Sequence, residues 1–373
     1  MTVLIPVANF RETRVSELLL DINDTSAKSA PADGACTGAS SQGQPLLEVR
    51  DLAVEFGVGR GALRAVDKVS FSVFPGETLA IVGESGSGKS VTALSLLQLI
   101  PSPPSRVKSG EILFDGRDLL KLSSKEIRAI RGNEIAMIFQ EPMSSLNPSL
   151  TVGLQIAEPM QLHHGLSWKK ALAKAGELLK RVRIPDAEKR VTAYPHQFSG
   201  GMRQRAMIAM ALACKPKLIV ADEPTTALDV TVQAQILALL KDLTRETKAA
   251  LVLITHDLGV VARYADRVCV MYAGRIVESG TAREIYETPR HPYTLGLMAS
   301  IPRLDQDTQQ RLVPIEGQPP DLSALPQGCA FQTRCRYVGD RCRQEPPELE
   351  HIEGQHFRAC FANVKGEADA LKL

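Results

Sequence analysis

Eight residues constrain this chain more than any other stretch: Gly83, Glu84, Ser85, Gly86, Ser87, Gly88, Lys89 and Ser90. Their spacing is G-x-x-x-x-G-K-S. The preceding "VSFSVFPGETLAIV" reads as a strand, a Pro-Gly turn and a buried strand, and the following "KSVTALSLLQLI" carries apolar residues at helical spacing. A glycine-rich loop between a strand and a helix curls so that several backbone N–H groups point inward at phosphate oxygens. In such a loop Lys89 reaches the outer phosphates and the Ser90 hydroxyl takes a place on Mg²⁺. A chance match is disfavoured by the strand–loop–helix context, which commits the chain to an α/β fold.

Further strand ends carry chemistry. "KLIVADEP" is a continuous apolar run ending in Asp222 and Glu223. At the carboxyl end of a parallel strand this pair faces the ligand crevice, with Asp222 suited to the Mg²⁺ shell and Glu223 free to act on water as a base. Alone, the pair could equally cap the next element; beside a phosphate loop the catalytic reading is favoured. "ALVLITHD" ends another buried run in His256, able to donate to a terminal phosphate and the attacking water. "EIAMIFQ" ends in Gln140, whose amide can touch both metal and water. Each run follows a helical segment, as in a parallel sheet covered on both faces. "RVCVMYAGRIVESG" reads as a hairpin about Ala273 and Gly274, and residues 151–214 are largely helical by pattern.

Within that helical stretch, "HQFSGGMRQR" poses a question. Ser199 is a good N-cap, yet two poor helix formers, Gly200 and Gly201, follow it. Bare N–H groups at a helix start suit a second phosphate site.

The chain has 44 Lys+Arg against 42 Asp+Glu, a net charge of +2, which is no nucleic-acid footprint. No apolar run approaches the roughly 20 residues of a membrane span, and the amino terminus lacks the layout of a secretory signal. A reducing cytosol is therefore the expected surrounding. Of seven cysteines, Cys329, Cys335, Cys342 and Cys360 crowd the carboxyl-terminal stretch at C-x5-C-x6-C-x17-C. In a reducing compartment such a cluster reads as metal binding before disulfides. Thiolates suit a 4Fe–4S cluster or a structural zinc, and the absence of short C-x2–4-C pairs places the cluster first. Residues 1–45 are rich in Ser, Ala and Gly and are expected to be disordered. From Pro289 onward proline density rises, which suggests a second small unit at 290–373 that burial alone would not fold.

Taken in order, Gly83–Ser90, Gln140, "SGGMRQR", "VADEP", Ala227–Asp229 and His256 resemble the nucleotide-binding subunit of ABC transporters. The usual Leu-Ser-Gly-Gly-Gln signature here reads Phe198-Ser199-Gly200-Gly201-Met202. The resemblance implies a P-loop ATPase domain over 46–289, with a mixed sheet and a helical subdomain at about 141–214, followed by a small Cys-rich extension. It further implies two such domains facing head to tail, so that Ser199 and Gly201 hold the partner's γ-phosphate with Asp229 at the same interface. Phe56 becomes the adenine-stacking aromatic. "QEPMSSLNPSLTVGLQI", "HPYTLGLMASIP", "IEGQPPDL" and "GCAFQTRCRYVGDRC" resemble the branch that imports oligopeptides, dipeptides, nickel or glutathione. That branch implies ATP and Mg²⁺, a second, non-identical ATPase, two transmembrane permeases, an extracytoplasmic binding protein acting indirectly, and a peripheral place on the cytoplasmic face of the membrane. It is also associated with a 4Fe–4S cluster in this tail. Two other readings stand beside it: a soluble ABC factor acting on nucleic acid or ribosomes, and an ATP-binding regulatory subunit that does not hydrolyse.

Overall fold

The computed structural model describes residues 43–57, 62–226, 228–300 and 314–364. The expected amino-terminal extension lies outside them save for residues 43–45, as does Ala227. In chain order the strands are β1 (Leu47–Phe56), β2 (Leu63–Val73), β3 (Thr78–Val82), β4 (Ser105–Phe114), β5 (Arg117–Asp118) and β6 (Ile135–Ile138). They continue with β7 (Leu218–Asp222), β8 (Ala250–Thr255), β9 (Arg267–Tyr272), β10 (Arg275–Thr281), β11 (Glu350–Glu353) and β12 (His356–Arg358).

The central sheet is mixed, in the order β11-β12-β10-β9-β3-β8-β7-β6. The run from β9 to β6 is parallel, whereas β10, β12 and β11 add to its edge in antiparallel fashion. Every residue of β3, β7, β8 and β9 is buried, which is why these strands run apolar between their ends rather than alternating; the polar residues Thr78, Asp222, Thr255 and Arg267 stand at strand ends. Each buried Val, Leu or Ile there contributes about 1.5–3 kcal/mol by leaving water. The hairpin between β9 and β10 turns at Ala273 and Gly274 as the sequence suggests, both with positive φ, 47° and 81°. A second, antiparallel sheet has the order β2-β1-β4-β5 and shares a core with the first through Val49, Phe71, Ile81, Ile112 and Val220.

Because β6, β7, β8 and β3 are parallel neighbours, their carboxyl ends lie along one edge. Val82 pairs with Thr255, Ile254 with Asp222, and Ala221 with Ile138. This arithmetic of register brings the phosphate loop, Gln140, Glu223 and His256 together from positions far apart in the chain.

The helices Val152–His164, Trp168–Arg181 and Gly200–Ala211 pack around Ile156, Leu179, Phe198 and Ile208, in a core that continues into one face of the main sheet through Ile138, Ile219 and Leu251. The Val152–His164 helix starts on the Thr151 side chain and stops at Gly165, whose left-handed backbone closes its last turn.

The carboxyl-terminal residues solve their shortage of apolar side chains by borrowing. Phe331 enters the core formed by Val82, Val268, Tyr272 and Tyr293. β12 pairs with β10 and so extends the main sheet. Among the described residues no helix is long and apolar enough to cross a membrane.

Candidate active site

The phosphate loop connects β3 to the helix Lys89–Leu96. Gly88 has φ 102°, and a Cβ there would lie 2.5 Å from the Ala65 carbonyl oxygen. A Cβ on Gly83 would collide with the Met271 carbonyl oxygen. Both glycines are demanded by the close passage of β2 and β9 beneath the loop. Lys89 Nζ donates to the Gly83 and Glu84 carbonyls, each at 2.8 Å. Burial pulls the Lys89 ammonium below its ordinary pKa, opposed by the nearby charges of Glu223, Asp222 and Glu84.

Ser90 Oγ donates to Asp222 at 3.0 Å, which joins the two residues suited to a magnesium shell. Burial raises the Asp222 carboxyl above its usual range; the Ser90 bond works against this and the Glu223 charge adds to it. Gln140 is turned differently. Its amide nitrogen donates to Glu223 Oε2 at 3.0 Å, so it accompanies the candidate base rather than the Ser90–Asp222 pair. Thr226 Oγ1 donates to the same Glu223 oxygen at 2.9 Å, and His256 Nδ1 lies 3.3 Å from the other. Burial would raise the Glu223 pKa, but Thr226, His256 and Lys89 together hold it below the usual value. Glu223 also sits at φ 43°, a conformation that a non-glycine residue adopts at some cost and that aims its side chain across the strand ends.

A cleft beside the loop is lined by Phe56, Ser85, Gly86, Gly88, Lys89, Ser90, Gln140 and Glu223. Phe56, the expected aromatic, is therefore at the cleft. So are Leu63, Ala65, Val91 and Leu322, none of which the sequence singled out. Leu63 has a visible reason: it is the register partner of Phe56 across β1 and β2. The loop's second residue, Glu84, also has partners that sequence reasoning missed. Its N–H donates to the Tyr293 hydroxyl at 2.8 Å, and its carboxylate is gripped by Arg334. Sequence separations of 209 and 250 residues leave no local signal for these contacts.

Ser199 caps the helix Gly200–Ala211 by accepting from the Met202 N–H at 3.4 Å. Gly201 faces Val232, with 3.0 Å between its Cβ position and Val232 Cγ1, so one of the two glycines has a packing reason. Gly200 has only Leu228 Cδ2 at 3.7 Å, which is room enough for a side chain; it is exposed. Asp229 caps the next helix, Val230–Thr247, through the Val232 N–H. Ser199, Gly200, Gly201 and Asp229 thus gather at two adjoining helix starts and line no part of the cleft described above.

Cys329, Cys335, Cys342 and Cys360 are free thiols and line one small cavity with His291, Phe331 and Tyr337. Burial pushes Cys335 and Cys360 up to about 11. Among the described residues no group of three or more His, Cys, Asp or Glu is drawn together tightly enough to hold a metal ion as it stands. The donor chemistry of four thiols is that of a site for a thiophilic group.

Sequence and structural comparisons agree with this geometry. The ABC transporter family model matches residues 66–226, and the model described as the oligopeptide/dipeptide transporter C-terminal region matches residues 277–342. The oligopeptide transport ATP-binding protein OppD of Bacillus subtilis is 55% identical over 84% of this chain and 87% of its own length. OppD of Salmonella typhimurium is 50% identical over 88% and 97%, and the dipeptide transport protein DppD of Bacillus subtilis is 54% identical over 78% and 87%. Among solved structures, the ATP-binding cassette MJ0796, a dimer bound to ADP and Pi, superposes with a TM-score of 0.57 at 29% identity, covering 64% of this chain and 99% of that one. The fold is that of an ABC-type P-loop ATPase, with a mixed sheet and helices. Within that class the chain belongs to the family of ATP-binding subunits of oligopeptide and dipeptide ABC transporters.

Proposed function

We propose that this subunit hydrolyses ATP on the cytoplasmic face of the membrane to drive import of peptides, or of a related small substrate such as nickel or glutathione. The observation that carries the reading is the convergence of Gln140, Thr226 and His256 on Glu223 beside a phosphate loop. Phe56 would stack on adenine, and Gly83–Ser90 would wrap the phosphates. Ser90 and Asp222, with Gln140 joining them once it turns from Glu223, would hold Mg²⁺, which supplies charge neutralisation to the triphosphate. Glu223 takes the proton of the attacking water and His256 steadies the terminal phosphate. The carboxylate and the imidazole speak against a regulatory subunit that only binds ATP.

Ser199, Gly200, Gly201 and Asp229 would close on the nucleotide of an opposing ATPase. Their placement at exposed helix starts, away from this chain's own cleft, supports that role. The opposing subunit is a second, non-identical ATPase, and two permeases complete the transporter. The chain divides functionally into an extension at 1–45, the ATPase domain at 46–289 and a Cys-rich extension at 290–373. Purification of the tagged chain from membranes tests the whole reading: two permeases and a second ATPase should accompany it, and the chain alone should hydrolyse ATP slowly. Recovery with ribosomes or nucleic acid instead would favour a soluble factor. In the same preparation Lys89→Ala should weaken nucleotide binding about tenfold or more, since a buried charge on the phosphates is lost.

The four cysteines would hold a 4Fe–4S cluster, with zinc as the alternative. That all four cysteines line one cavity supports this. Anaerobic purification should give a brown protein with about four iron and four sulfide per chain. Stoichiometric zinc in a colourless protein would sink the cluster and leave the ligands.

A further inference from the structure

One guanidinium joins the cysteine-bearing turn to the phosphate loop. The turn from Cys329 to Cys335 is compact: Gln332 N–H donates to the Cys329 carbonyl and Arg334 N–H to that of Phe331. Phe331 lies between the two sites. It lines the thiol cavity and meets Tyr272 and Tyr293 edge-on, with ring centroids 5.1 and 5.5 Å apart. From the same turn Arg334 reaches Glu84, with Nη1 2.6 Å from Oε2 and Nη2 3.0 Å from Oε1. Its side chain is 2% exposed and that of Glu84 27%, so this is a part-buried, two-pronged pair rather than a fully exposed surface contact. The remaining donors are also used. Nε donates to the Glu316 carbonyl at 3.0 Å and Nη2 approaches that of Ile315 at 3.4 Å. Those carbonyls belong to the segment that carries Leu322 to the rim of the nucleotide cleft.

The charge arrangement gives this contact a consequence. Glu84 is the loop's second residue, and its carboxylate is one of the negative charges acting on Lys89. Left unneutralised, it would repel a triphosphate and compete with it for Lys89. Arg334 cancels that charge and fixes where it sits, while Tyr293 holds the Glu84 N–H from the other side. We propose that Arg334 is a positioning residue for the phosphate loop, and that through it the conformation of the Cys329–Cys335 turn sets nucleotide affinity. A change at the four thiols, whether loss of a bound group or loss of a ligand, is then felt at the ATP site without any direct contact. The proposal rests on the reading that this loop holds the nucleotide's phosphates.

The test is a fluorescent MgATP analogue titrated into the full-length chain, with circular dichroism to establish folding. Arg334→Met should weaken binding about tenfold, because Glu84 is left charged and unpaired. Arg334→Met combined with Glu84→Gln should recover most of that loss, since the repelling charge goes with its partner. A merely structural Arg334 predicts no recovery. Should Arg334→Met not fold, Arg334→Lys keeps a charge but not the two-pronged grip, and a loss of threefold or more that Glu84→Gln relieves carries the same weight. Cys335→Ser should weaken binding threefold or more in the parent chain and have no effect in the double variant. Binding within twofold of parent for Arg334→Met, no recovery in the double variant, or an equal Cys335→Ser effect in both backgrounds would each overturn the proposal. Lys89→Ala separates this from the underlying reading. If that change too leaves affinity intact, the loop is not the phosphate site; if it abolishes binding while Arg334→Met does nothing, only the present inference fails.

Discussion

Glu223→Gln is expected to leave ATP binding intact and to lower phosphate release by the assembled transporter by about 10²–10³-fold. The amide keeps the shape of the carboxylate and can still meet Gln140, Thr226 and His256, which surround it at 2.9–3.3 Å. It cannot take a proton from water. The affinity of the site should hardly change, because the Ser90–Asp222 bond and the Lys89 contacts with the loop carbonyls do not use the Glu223 side chain. Binding without turnover has a visible consequence: ATP-bound closed pairs of ATPase subunits should accumulate and elute together on size exclusion in ATP but not in ADP. Single-turnover measurement on the purified complex is the decisive readout. Retention of even a tenth of parent turnover removes Glu223 from the role of base and would move attention to His256, the other titratable group at this edge.

The contrast between Glu223 and Asp222 shows how much of such a site the sequence can carry. Two adjacent carboxylates at the end of an apolar run are legible because the carboxyl end of a buried parallel strand opens on the ligand crevice. That Glu223 leaves the strand with a left-handed backbone, φ 43°, has no such signal in the sequence. The parallel sheet follows from "LIVAD" and "ALVLIT", whose unbroken apolar character only a strand buried on both faces needs. Gln140 was placed at the right edge, but its partner was not foreseen, since side-chain orientation depends on the neighbouring strand's register. The carboxyl-terminal contacts were invisible for a different reason. Phe331, Arg334 and Leu322 stand in a stretch without periodicity, and each acts on residues more than fifty positions away. Composition alone made the tail look too polar to fold by burial; it folds against a core built by other strands.

That dependence makes Glu278 the residue whose loss should cost the most stability. It lies on β10 and is fully buried, with 0% exposure. Its carboxylate accepts the Arg290 N–H at 2.5 Å, the His291 N–H at 3.0 Å, and a hydrogen bond with His356 Nε2 at 2.7 Å. Three chain segments meet there: β10, the entry to the helix Pro292–Ala299, and β12. His291 is buried and its Nδ1 already accepts from the Tyr293 N–H, while burial drives its pKa down to about 3, so it stays neutral. Among the described residues His356 Nδ1 and Arg290 Nε are buried without a hydrogen-bond partner, so this cluster already carries unpaired polar atoms. Glu278→Ala would strand two backbone donors and an imidazole in a dry interior, at a cost of about 3–5 kcal/mol. For a chain of this size that corresponds to a fall in Tm of roughly 4–6 °C. Glu278→Gln, which keeps one acceptor oxygen, should lose about half as much. Thermal melting of the full chain reads both, and a fall of less than 2 °C for the alanine variant would remove Glu278 from this role. Hydrogen exchange then tells where the damage goes. Loosening confined to 350–358 and 290–299 would mean that the tail detaches from an intact ATPase core. Loosening that also reaches Glu84 and the phosphate loop is the expected result, because Tyr293, two residues from His291, accepts from the Glu84 N–H of that loop.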